Sequence, residues 1–123
     1  MSFLDDIGGA AVVDRLAEHF YRRALADPDL RVLFRDPDEP HAKRMAWFLT
    51  ELFGGERVHS RHRGGFATMV ASHRGLRISE AQRAGWVDHM LAAADEVGIP
   101  DGPLRQFAYY VDTASRLALN GSQ

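Results

Sequence analysis

Ser72-His73-Arg74-Gly75-Leu76-Arg77-Ile78-Ser79, with Trp86 thirteen residues after the histidine, is the stretch on which the reading of the fold turns. It places an imidazole at the end of one apolar helix. Ser79 with Gln82 three residues later is a capping-box signature. It opens a second helix through Trp86, Met90, Ala93 and Val97, which Gly98 closes. Two helices joined by so short a turn can grip a flat planar cofactor. Histidine offers a nitrogen ligand, whereas an indole N–H donates a hydrogen bond and accepts none.

Working outward, Val12, Val13, Leu16, Phe20 and Ala24 repeat at helical spacing after Gly8-Gly9. That run stops at Asp27-Pro28, because proline disfavours helix in the residue before it. A short segment with Leu30, Leu33 and Phe34 follows, then a second breaker over residues 36–40. His41, Met45, Phe48 and Leu52 form one stripe on the next helix, ended by Gly54-Gly55. Residues 56–65 read as a polar loop, and Phe66, Met69, Val70 and His73 as one face of a short helix. Pro100-Asp101-Gly102-Pro103 reads as a turn before a last helix whose buried side carries Leu104, Phe107, Val111 and Ala118. No alternating strand, repeat or low-complexity linker interrupts this pattern. The expectation is an all-α protein of about six or seven helices, several of them short.

A chain of 123 residues reads as one domain over 1–123. Its formal charge of −2 gives no reason to expect nucleic acid or an anionic membrane as partner. No apolar run is long enough to span a bilayer and no secretory N-terminus is evident, so a cytoplasmic protein is expected. The absence of cysteine excludes disulfides, iron–sulfur ligation, thiolate-ligated haem and the covalent haem attachment that needs paired cysteines. Any haem here is held non-covalently through a nitrogen ligand.

Other catalytic grammars are missing. The three Gly-Gly pairs match neither the dinucleotide fingerprint nor a phosphate loop, and there is no His-Glu-x-x-His motif or nucleophile elbow. His59 and His62 lie among Arg57, Arg61 and Arg63, a cationic setting that disfavours a metal, and read as a solvated loop. Taken singly, His73 is more often a core histidine than a ligand, and Trp86, Met45 and Phe48 are ordinary core residues. Together they say more. Tyr21, His41 and Trp86 are hydrogen-bond donors on three separate helices, and His73 on a fourth is the natural ligand to a metal between them. A small helical protein has little use for three converging buried donors unless something there accepts.

In this order and spacing the chain resembles the truncated haemoglobins, the short two-over-two helical globins. The resemblance runs from Gly8-Gly9 to Ala118, through Phe20-Tyr21 with Asp27-Pro28, Phe48-Leu49 with Gly54-Gly55, and His73-x-x-Leu76-x-Ile78-Ser79 to Trp86. Trp86 and the glycine pairs most resemble the second of the family's three groups. The resemblance implies a haem b, iron protoporphyrin IX, with His73 as proximal iron ligand. Tyr21, His41 and Trp86 fall at its distal, ligand-stabilising positions. Phe34 matches the aromatic on the haem edge, Met45 and Phe48 the apolar wall, and Arg44 and Arg77 the cations near the propionates. Two positions depart from the second-group pattern: His41, where a small residue is common, and His59, where tyrosine is common.

A haem so placed implies O2, CO and NO as ligands. Hydrogen bonds to a charged partner contribute roughly 1.5–3 kcal/mol each, so several donors slow O2 escape by about two orders of magnitude or more. That makes a poor carrier and points to redox work on a retained ligand, either NO dioxygenation or peroxidase-type turnover. With no flavin or nicotinamide site, electrons must come from a separate reductase. Two other readings stand beside this one. One is a haem-based gas sensor or redox partner, against which the lack of an output domain weighs. The other is a cofactor-free helical interaction module.

Overall fold

The computed structural model describes residues 2–34, 40–56, 59, 61, 64, 71 and 73–123. All regular structure among the described residues is helical: α1 (Phe3–Ile7), α2 (Ala10–Ala26), α3 (Pro28–Arg31), α4 (His41–Leu52), α5 (Glu80–Glu96) and α6 (Asp101–Ser122). The all-α reading holds. Phe66, Met69 and Val70 of the expected short helix lie outside the described residues.

Helix α1 is too short for periodicity to reveal, but its start is chemically specified. Ser2 Oγ accepts from the Asp5 N–H at 3.3 Å, and the Asp5 carboxylate accepts from the Ser2 N–H at 3.2 Å. Gly8 ends the helix in the left-handed region, at φ 116°. A Cβ at Gly8 would stand 2.5 Å from Cγ2 of Val12. Chain reversal and close approach to α2 therefore both depend on this glycine.

Helix α2 buries Val13, Leu16, Phe20 and Ala24 of the expected stripe together with Ala17, while Val12 is half-buried. It ends at Asp27, whose carboxylate accepts from the Asp29 N–H at 3.0 Å and so caps α3. Pro28 then occupies the first position of α3, where a missing N–H costs nothing.

Helix α4 differs from the expected core face. Its buried residues are Ala46 and Leu49, while Met45, Phe48 and Leu52 are half-buried and packed against the core. One residue of helix is about 100° of rotation, so the small Ala46 and the adjacent Leu49 reach deepest and the bulkier stripe flanks them. Phe53 and Gly54, the latter at φ 96°, close the helix.

The capping box on α5 forms as expected: Ser79 Oγ accepts from the Gln82 N–H at 3.0 Å, and Gln82 Oε1 accepts from the Ser79 N–H at 2.9 Å. The turn expected over 100–103 is instead the start of α6, which begins at Asp101 with Pro100 as cap residue. Pro103 fits there because the first turn of a helix has no internal acceptor for its N–H groups. The buried side of α6 is Phe107, Val111, Ser115 and Ser122, with Leu104 and Ala118 half-buried.

Helix α2 packs on α4 and α5, α5 packs on α6, α3 bridges α2 to α5, and α1 lies on α6. The result is two helix pairs, α2–α4 and α5–α6, stacked two over two. Phe20, Met90, Phe107 and Leu16 are fully buried between them. Burying each of these side chains contributes about 1.5–3 kcal/mol.

Candidate functional site

One end of the α2–α4 pair carries a cluster of three rings. Phe20 is fully buried on α2, so its neighbour Tyr21, about 100° further round the helix, lies half-buried at the margin of the core. The Tyr21 ring meets Phe34 edge-on, with centroids 5.3 Å apart, and lies 5.6 Å from the His41 ring. Phe34 in turn stands edge-on to His41 at 5.2 Å. Its backbone N–H donates to the Arg31 carbonyl at 3.0 Å, which hangs Phe34 from the end of α3. His41 is the first residue of α4, presented by Pro40. Three elements thus bring the three rings into mutual contact, each within 5.6 Å of the other two.

The wall continues along α4. Met45 and Phe48 are half-buried, and Phe48 meets the His59 ring edge-on at 5.4 Å. Here the solvated-loop reading of His59 fails. The residue is 5 % exposed. Its charged sequence neighbours hid this, because contact with Phe48 is a tertiary event with no local signature. Trp86 on α5 is half-buried and packs edge-on to Phe20 at 5.4 Å, one residue from Tyr21 along α2. Arg44 is half-buried in the first turns of α4.

His73 lies half-buried just before α5, and its carbonyl accepts from the Leu76 N–H at 3.1 Å. The segment after it is held from α6. Ser122 O accepts from the N–H groups of Gly75 at 3.1 Å and Arg77 at 2.9 Å. Ser122 Oγ accepts from the Ile78 N–H at 3.0 Å. Arg77 is exposed at φ 51°, the one non-glycine residue with positive φ among the described residues.

Burial raises the pKa of the Tyr21 phenol above its ordinary value, so it remains a neutral donor at physiological pH. Further from the rings, Arg83 on α5 is 8 % exposed and binds Glu80 and, at 3.2 Å, Asp112 of α6; its guanidinium also donates to Ser115 Oγ at 3.1 Å. Nothing periodic in the sequence marked this network, although the spacing of Glu80 and Arg83 is that of a helical ion pair.

A two-over-two stack of short helices, with an imidazole before one pair and a Tyr–His ring cluster on the other, is the arrangement of a globin. Residues 2–113 match the model of the bacterial-like globins. The crystal structure of a thermostable haemoglobin from the actinobacterium Thermobifida fusca superposes with a TM-score of 0.90 at 33% identity, over 98% of both chains. That of the haemoglobin of Chloroflexus aurantiacus gives 0.89 at 34% identity, again over 98% of both. A group 1 truncated haemoglobin of Tetrahymena pyriformis is 24% identical over 109 residues, 88% of this chain and 86% of that one. The chain belongs to the bacterial-like globin family and is a truncated haemoglobin. Membership implies haem and, at its iron, the binding of diatomic gases. No helix among the described residues is long and apolar enough to cross a membrane.

The residues present fit a haem. Phe34, Met45 and Phe48 form an apolar wall that is packed on the core from one side, and Tyr21 and His41 put polar groups at one end of it. His73 is an imidazole on a separate, hydrogen-bonded segment.

Proposed function

We propose that this protein binds haem b non-covalently through His73, retains O2 tightly, and works on NO or reactive oxygen species rather than carrying oxygen. Bound haem supplies an iron that takes O2, CO or NO. The protein supplies the rest. His73 holds the group from one side, and Phe34, Met45 and Phe48 exclude water from the other. Arg44 and Arg77 provide cations for the propionates. Tyr21, His41 and Trp86 donate hydrogen bonds to the gas ligand.

The Tyr21–Phe34–His41 cluster carries this reading, because it brings a phenol and an imidazole from two helices around one phenyl ring. A phenol kept neutral by burial is a donor and not an anion, as stabilising an electron-rich ligand requires. Among truncated haemoglobins, Trp86 and the glycine pairs place the chain nearest the second group. Turnover draws electrons from a separate reductase, and the protein acts in the cytoplasm.

The test is spectroscopic. Purified protein given haem should show a strong Soret band, and His73→Ala should lose normal ligation until imidazole is added. An unchanged spectrum in His73→Ala without imidazole removes the proximal assignment. Rapid NO consumption by the oxygenated protein, with nitrate as product, separates the scavenger from a carrier or a sensor.

A further inference from the structure

We propose that Ser122, on α6, is a positioning residue for the iron ligand: it fixes the orientation of the His73 imidazole by clasping the backbone that follows it. The inference rests on His73 being the proximal ligand.

Three of the four N–H groups from Gly75 to Ile78 end on this one residue, and the fourth, of Leu76, closes the turn on the His73 carbonyl. The N–H groups of Gly75 and Arg77 share the Ser122 carbonyl, at 3.1 and 2.9 Å, and the Ile78 N–H reaches its hydroxyl at 3.0 Å. Ser122 Oγ donates onward to the Leu119 carbonyl at 2.6 Å. Gln123 Nε2 donates to the Ile78 carbonyl at 3.0 Å, closing the clasp from the other side. Ser122 is fully buried, although it lies in the last turn of its helix.

A helix end normally leaves its last carbonyls to water or to a cap. Here such a carbonyl is given to a loop 44 residues or more away in sequence. The loop it holds is unusual as well. Gly75 and Arg77 both sit at positive φ, 83° and 51°. Glycine adopts that region freely, but an arginine stays there only when its surroundings hold it. The bond from the Arg77 N–H to the Ser122 carbonyl restrains it on one side, and the hold of the Ser122 hydroxyl on the next residue, Ile78, restrains it on the other. Because the His73 carbonyl closes the same turn through Leu76 N–H, rotation of the loop is passed directly to the backbone of His73. A side chain that must present one ring nitrogen to a metal is sensitive to that rotation.

The haem-loaded protein tests this. Ser122→Ala should shift and broaden the iron–imidazole stretching band in the resonance Raman spectrum of the ferrous, ligand-free form. Exchange of the Ile78 amide should run about fivefold faster, the equivalent of one hydrogen bond. Ser122→Thr, which keeps the hydroxyl, should restore the band. In a His73→Gly protein ligated by added imidazole, Ser122→Ala should leave the band where it is, since the ligand is no longer tied to the backbone. The inference is overturned by an unchanged band in Ser122→Ala, by unchanged Ile78 exchange, or by an equal shift in the His73→Gly background. Should Ser122→Ala fail to fold, Gln123→Ala, at an exposed residue, gives the same reading: a shifted band supports the clasp and an unmoved one rejects it. A wild-type protein without an iron–imidazole band, or His73→Gly retaining one without imidazole, marks failure of the ligation itself.

Discussion

The His89 imidazole lies 2.9 Å from the Asp27 carboxylate, tying α5 to the junction where α2 ends and α3 begins. Asp27 thus serves two partners, since it also caps α3 through the Asp29 N–H. The hydrogen bond from His89 is the main reason its carboxyl stays below the usual carboxylate range, with the Asp29 N–H second. A depressed pKa means stability that is present at neutral pH and is lost as pH falls through the folded-state value. Asp27→Asn should melt below the wild type at pH 7. The difference should narrow as the pH falls from about 4, where the carboxyl of the unfolded chain takes up its proton, through the lower value of the folded state. Calorimetry of both proteins over that range decides it; a difference that is constant with pH would show that the charge contributes nothing.

Arg83 pins α5 to α6 through a guanidinium that is almost fully covered, with Glu80, Asp112 and Ser115 as its partners. The carboxylates are solvated on their outer sides, so removing the arginine does not bury an unpaired charge. The loss is one of packing and of a buried donor set. Arg83→Ala should lower the thermal midpoint by roughly 4 °C, corresponding to about 1 kcal/mol in a domain of this size. Arg83→Lys should recover only part of it, because an ammonium cannot fork between two carboxylates.

The glycine pairs have separate physical reasons. Gly8 reverses the chain at φ 116° with Val12 against it, and a Cβ at Gly55 would come within 2.6 Å of Leu4 and 3.0 Å of the Thr50 carbonyl oxygen. Gly8→Ala should destabilise by about 1–2 kcal/mol from backbone handedness before any clash is counted. Gly55→Ala should also destabilise, since a backbone oxygen cannot swing aside as a side chain can. Denaturant midpoints measure both; Gly9→Ala, where a Cβ meets nothing within 4 Å, is the control for backbone effect alone.

Under the proposed distal roles, Tyr21→Phe, His41→Leu and Trp86→Phe should each speed O2 release by roughly tenfold or more, the loss of one hydrogen bond to a charged partner. Because burial raises the Tyr21 pKa, the wild-type rate should stay level as the pH rises from neutral towards about 10, with no ionisation of the phenol below its ordinary value. Stopped-flow displacement of O2 by CO gives both. Equal rates in all four proteins would remove the donor network.

What could be read from the chain divides by range. The α5 capping box, the stop at Asp27-Pro28 and the α2 stripe depend on residues within a turn of one another, and each is present as read. The α1 capping box was equally local, in Ser2 and Asp5, but five residues carry no period. The differences fall where tertiary contact decides. The arginine neighbours of His59 suggest a solvated loop, but the residue is buried against Phe48. Pro103 suggests a turn, yet it lies in the first turn of α6, where proline is tolerated. The candidate site was legible through order and spacing across the whole chain, as a family resemblance. The Ser122 clasp joins residues 44 positions apart and has no local pattern to betray it.

Phe34, edge-on to both Tyr21 and His41, has a consequence for how such a pocket changes over generations. A phenyl ring packed against two donors that also touch each other makes all three mechanically dependent: thinning it lets both relax, and enlarging either donor displaces its neighbours. Substitutions at 21 and 41 are therefore expected to be strongly non-additive, with their coupling weakened in a Phe34→Ala background and the direct Tyr21–His41 contact carrying what is left. Under the proposed function, ligand preference is then a property of a three-ring unit. A lineage that altered it would do so through changes at all three positions together, not by tuning one donor at a time.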